Sequence, residues 1–89
     1  MEFNDYQRAA LSTAIYRNNE AHRVIYPALG LCGEAGEAAE KIKKCLRDFH
    51  GRIDNAAKDA IALELGDVLW YVSVLADDLG FTLDDIVKR

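Results

Sequence analysis

Four carboxylates stand in two matched pairs, Glu34 with Glu37 and Glu64 with Asp67. Each pair brackets a glycine in the same short phrase, Glu34-Ala35-Gly36-Glu37 and Glu64-Leu65-Gly66-Asp67. On a helix, residues three apart project from neighbouring turns, so one ion can be shared by both members of a pair. Oxygen-only ligands suit a hard divalent cation, Mg²⁺ first and Mn²⁺ as a substitute. Without such an ion, four gathered carboxylates repel one another and resist desolvation. Lys41 and Lys44 project near the edge of the first pair and can offset part of that charge.

The plainer alternative is a solvated helix face, with Glu37 and Lys41 as an i, i+4 ion pair. Rotation argues against it. On a helical wheel, Leu31, Ala38, Ile42, Cys45 and Phe49 fall about 20° to 80° from Glu34, and Glu37 falls at about −60°. Relative to Glu64, the residues Ile61, Val68, Val72, Leu75 and Leu79 fill the same sector, and Asp67 again falls at about −60°. Both pairs therefore border an apolar stripe in the same way, and antiparallel pairing of two helices would bring them face to face. Gly36 and Gly66 each cost a helix interior about 1 kcal/mol against Ala. They lie about 200° from the first acid, which suggests close approach of another helix behind the carboxylates.

The elements that must carry these pairs are all helical. Asn4 can cap a first helix, with Gln7 reaching back as in a capping box, and that helix runs to about Arg17. Residues 18–26 read as a polar loop. Pro27 suits the first turn of a second helix, which continues to about His50 and stops at Gly51. Asp54 or Asn55 caps a third helix that ends at Leu79-Gly80, and Thr82-Leu83-Asp84-Asp85 opens a short fourth. No alternation marks a strand. The expected fold is all-α: residues 1–89 form a single domain, an antiparallel bundle of about four helices completed by oligomerisation.

Oligomerisation follows from size. At 89 residues and 51% hydrophobic, the chain holds more apolar material than a small monomer hides easily. The third helix also shows a second apolar face in Leu63, Trp70 and Val74, and a helix apolar on two sides is buried on both. A homodimer or a dimer of dimers is expected, with Trp70 near an interface.

Other classes are disfavoured. A net charge of −4 does not suit a binder of nucleic-acid polymers, although a metal can reverse the local sign for a nucleotide. The start lacks the basic then apolar pattern of a signal peptide. The apolar run from Val68 to Ala76 falls far short of the ~20 residues a membrane span needs. Cys32 and Cys45, on one helix, stand roughly 20 Å apart and cannot bridge, which fits free thiols in the cytoplasm. His22 and His50 belong to neither motif, and no Glu has a His three residues on, as a di-iron bundle would require.

The segment Gly30-Leu31-Cys32-Gly33-Glu34-Ala35-Gly36-Glu37-Ala38-Ala39-Glu40-Lys41-Ile42-Lys43-Lys44, followed by Glu64-Leu65-Gly66-Asp67-Val68-Leu69-Trp70-Tyr71-Val72, resembles the MazG-like nucleoside triphosphate pyrophosphohydrolases of the all-α NTP pyrophosphatase superfamily. The opening Tyr6-Gln7-Arg8-Ala9-Ala10 and the closing Leu79 to Ile86 fit too. The resemblance implies Mg²⁺-dependent hydrolysis of (deoxy)nucleoside triphosphates to monophosphate and pyrophosphate. It places Glu34, Glu37, Glu64 and Asp67 as metal ligands, Glu34 or Glu37 as the base for the attacking water, and Lys41 and Lys44 on the phosphate tail. Two features depart from the family pattern. Gly33 stands where many relatives have Glu, and the helix bearing Asn, Lys and Arg that usually follows has no counterpart before Arg89. Competing activities are dUTPase-like or phosphoribosyl-ATP pyrophosphatase chemistry; the competing class is a non-catalytic helical oligomerisation module.

Overall fold

A computed structural model describes all 89 residues as four α-helices and two short 3-10 turns, without a strand. Helix α1 spans Phe3–Leu11, α2 spans Ile25–Asp48, α3 spans Asn55–Asp78 and α4 spans Leu83–Val87. Several ends follow directly from the sequence. Asp54 caps α3, its Oδ1 accepting the Ala57 N–H at 2.8 Å. Gly51 and Gly80, with φ of +80° and +88°, take the left-handed turns that end α2 and α3. No helix is long and apolar enough to cross a membrane.

The N-terminal cap differs from expectation. Asp5 accepts the Glu2 N–H, so α1 begins two residues earlier and Asn4 and Gln7 are released for other work. A short helix needs partners for its first N–H groups, and α4 draws two of them from α1. Gln7 Oε1 accepts the Leu83 N–H and Asn4 Oδ1 accepts the Asp84 N–H, both at 3.0 Å. Thr82 Oγ1 accepts the third, from Asp85, at 3.1 Å. Gln7 Nε2 also donates to the Ser73 and Phe81 carbonyls at 3.1 Å, so one buried amide ties α1, α3 and α4 together.

Helix α1 stops at Leu11, short of Arg17, because Ser12 and Thr13 hydroxyls bond back to the Ala9 and Ala10 carbonyls and compete with helix continuation. The next stretch folds as 3-10 turns at Ile15–Asn18 and Glu20–His22. It is fastened to the end of α3. The fully buried Asp78 carboxylate accepts the Tyr16 hydroxyl at 2.8 Å and the Val24 N–H at 2.9 Å, and it pairs with Arg17 at 3.2 Å. Val24 itself is forced to φ +66°, ψ −54°, a γ-turn closed by the Ile25 N–H on the Arg23 carbonyl. From there α2 starts, with the fully buried Pro27 in its first turn.

Helices α2 and α3 lie antiparallel and form the long axis; α1 packs on α3, and α4 closes the end. Part of the second face of α3 is covered by the same chain. Val74 is fully buried with Ala10, Ala14 and Tyr16, and Trp70 packs against that cluster while its Nε1 donates to Thr13 Oγ1 at 3.1 Å. Leu63, on that face but beyond the reach of α1, stays exposed. Behind the mid-helix glycines no helix of the same chain comes close: nothing lies within 4 Å of a Cβ built on Gly36 or Gly66. Replacing Gln7 by Ala strands the Leu83 N–H and two carbonyls, so a loss of about 3 kcal/mol is expected in urea unfolding. A loss below about 1 kcal/mol would show that water satisfies these groups instead.

Candidate functional site

The antiparallel seam aims carboxylates from both long helices at one point. Glu34 from α2 and Glu64 and Asp67 from α3 each offer an oxygen, all within 4.8 Å of one another. Glu34 and Glu64 are half-buried and Asp67 is exposed. Beside them opens a cleft of about 300 Å³ lined by Glu34, Asp67, Trp70 and Tyr71.

Glu37 stands outside this group and is exposed. The three-residue step rotates it by about 60° from Glu34, which on α2 is enough to leave the seam. On α3 the same step keeps Asp67 within reach. Lys41 Nζ lies 3.5 Å from Glu64 Oε1 and supplies a positive charge at the cluster. Lys44 is exposed, and its charge acts on Glu40 and Asp48, away from the three acids.

The cluster bears the mark of its crowding. Glu34 holds its proton above the ordinary carboxyl range, chiefly through a hydrogen bond shared with Glu64, then through partial burial and the nearby Asp67 charge. A cation among these oxygens would offset the repulsion that raises Glu34, and the all-oxygen donor set fits a hard divalent ion. The same Glu34–Glu64 pair can take up or release a proton at the mouth of the cleft.

Three aromatic residues at the site were not assigned to it by the sequence reading, which placed Trp70 near an interface. Tyr71 lies one turn beyond Asp67 on the same face of α3, and Trp70 beside it meets the ring edge-on at 5.0 Å. From α1, Tyr6 faces the site: burial first, and then the Asp67 charge, raise its hydroxyl above the usual tyrosine range. The Tyr71 hydroxyl is raised as well, by burial, then by Tyr26 and Glu34. Both therefore stay protonated at neutral pH. The spacing Asp67–Tyr71, i to i+4, was the available signal. Tyr6 had none, because nothing local tells that α1 crosses α3 there.

Comparison with known proteins identifies the family. The family model described as the MazG nucleotide pyrophosphohydrolase domain matches residues 26–89, which include all three clustered acids. The chain is also similar to the Gene 37 protein of Mycobacterium phage L5, with 43% identity over 93 aligned positions that take in all of this chain and 82% of that relative. No solved structure matches.

A raised carboxyl pKa binds its proton more tightly folded than unfolded, so its contribution to stability is full at low pH and fades as pH rises through the folded value. Substituting Glu64→Gln replaces the shared proton by an amide donor, which favours the charged form of Glu34. Carbon-detected NMR titration of the Glu34 carboxyl should then move to lower pH than in the unaltered chain. An unchanged titration would mean that the two side chains do not meet.

Proposed function

The chain belongs to the MazG nucleotide pyrophosphohydrolase family, and we propose that it hydrolyses (deoxy)nucleoside triphosphates to the monophosphate and pyrophosphate with Mg²⁺ as cofactor. The observation that carries this reading is the meeting of Glu34, Glu64 and Asp67 oxygens within 4.8 Å at the mouth of an open cleft.

In this reading Glu34, Glu64 and Asp67 hold the metal, and Glu37 completes the shell by turning inward from its exposed position. When bound, Mg²⁺, or Mn²⁺ in substitution, would offset phosphate charge and lower the pKa of the attacking water. The water oxygen bonds to the α-phosphorus, the bond to the bridging oxygen breaks, and pyrophosphate leaves. Glu34 or Glu37 accepts the water's proton. Lys41, paired with Glu64 while no cation competes for it, is the better supported holder of the phosphate tail; Lys44, exposed on α2, would have to swing round to reach the cleft. The free thiols of Cys32 and Cys45 fit a reducing, cytoplasmic setting.

A second copy of the chain is also part of the proposal. The accessible surface is 6234 Å², against roughly 5200 Å² for a compact monomer of this mass. The radius of gyration is 15.1 Å, against about 12 Å for a compact chain of this length. Leu29, Leu65, Leu69 and Leu79 are each more than half exposed. The excess surface is of the order of one side of a standard interface, about 800 Å². The open backs of Gly36 and Gly66 would let another helix come close. Light scattering after gel filtration should therefore give a dimer or a tetramer; a monomer at about 50 µM would contradict this.

Pyrophosphate release from a panel of nucleotides tests the reaction. Mg²⁺-dependent turnover is expected, with Glu64→Ala reducing it by at least about 100-fold while far-UV circular dichroism is unchanged. Preference for dUTP or phosphoribosyl-ATP would redirect the assignment within enzymes. No pyrophosphate from any nucleotide would leave a non-catalytic oligomerisation module.

A further inference from the structure

Gly30 lies in α2 one turn before Glu34, opposite Tyr71 of α3. A Cβ built on Gly30 would come within 2.7 Å of Tyr71 Cδ1 and closer still to Cε1 and Cζ. Carbon atoms at rest sit about 3.5–4.0 Å apart, so no side chain fits while the ring stays where it is. The contrast with the other glycines of the long helices is sharp, since Gly33, Gly36 and Gly66 have nothing within 4 Å of the same construction. Only at Gly30 is the missing side chain's space taken by another residue.

Two aromatic neighbours flank the ring in that space, and the side that faces the cleft is left open. Trp70 meets it edge-on at 5.0 Å and an interplanar angle of 88°, and Tyr26 stands on another side at 6.5 Å. Tyr71 in turn lines the cleft together with Glu34 and Asp67. A glycine inside α2 costs about 1 kcal/mol in helix propensity, and the packing of an aromatic ring into the notch can offset that cost.

We propose that Gly30 is a positioning residue: the notch it leaves in α2 seats the Tyr71 ring, and the seated ring forms the end wall of the carboxylate cleft against which the organic part of a nucleotide packs. The last step rests on the nucleotide reading above; the seating does not. A side chain at position 30 would push the ring off its seat. The three acids lie on neighbouring turns and keep their place, so substrate binding suffers more than the chemical step.

The test is a double-mutant cycle of Gly30→Ala, Tyr71→Ala and the two combined, read in two ways. Trp70 is the chain's one tryptophan and touches Tyr71, so its emission reports on the seat without any substrate. KM and kcat for a hydrolysed triphosphate report on the wall. Gly30→Ala should shift Trp70 emission and raise KM about tenfold, with kcat within about threefold. Added to Tyr71→Ala, it should change either readout by less than about twofold, because the clash is gone. Equal effects of Gly30→Ala in both backgrounds, or no effect on emission and KM, would overturn the proposal. If Gly30→Ala alone does not fold, recovery of folding in the combined variant supports the seat and failure to recover overturns it. If the unaltered chain hydrolyses no triphosphate, the nucleotide reading falls, and the emission cycle alone decides for or against the seat.

Discussion

Two antiparallel helices of 24 residues can meet in several registers, each about one turn of 5.4 Å from the next. In the register found here, Glu34 faces Glu64 and Asp67, an arrangement that like charges oppose. Something else must hold it. At one end, the Tyr71 ring fits where Gly30 has no side chain. Further along, Ala38 and Cys45 bury small side chains in the seam, and the joint at residues 49–54 returns the chain at once. The acids are thus set by apolar packing on either side of them; their crowding raises the Glu34 pKa, and Lys41 offsets part of the charge. A cation would relieve the same repulsion.

The remaining elements brace α3 on the side away from the exposed leucines. Gln7 and Asn4 of α1 supply the N–H partners that let a five-residue α4 persist, and Asp78 gathers Tyr16, Arg17 and the strained Val24 turn. These polar fastenings are made by buried or half-buried groups, where an unpaired partner is costly. They fix where α2 begins, and so where Gly30 and Glu34 stand. The same arrangement leaves Leu29, Leu65, Leu69 and Leu79 without cover from their own chain.

Much of this could be read from residue type and spacing. Asp54, Thr82, Gly51 and Gly80 mark helix ends through local chemistry that acts within a turn, and they do so here. The paired acids were legible for the same reason, because helical rotation carries Glu34, Glu64 and Asp67 toward the seam. What was not legible depends on contacts distant in sequence. Gln7 looks like a capping residue until α4 arrives 76 positions later. Trp70 looks like an interface residue until Thr13 and α1 cover it. Glu37 shares its pattern with Asp67, yet the helix crossing carries one out and keeps the other in. Gly30 reads as one more glycine until Tyr71 is opposite it.

The central claim is that one divalent cation sits among acids from both long helices. Mn²⁺ added in small amounts broadens NMR signals steeply with proximity, so it locates its own binding site without reference to catalysis. Resonances of Glu34, Glu64, Asp67 and the Tyr71 ring should fade first, while those of the neighbouring carboxylates Asp77 and Asp78 at the far end of α3 persist. Broadening spread evenly over the acidic surface, or centred on Asp77 and Asp78, would contradict the metal site and the chemistry built on it.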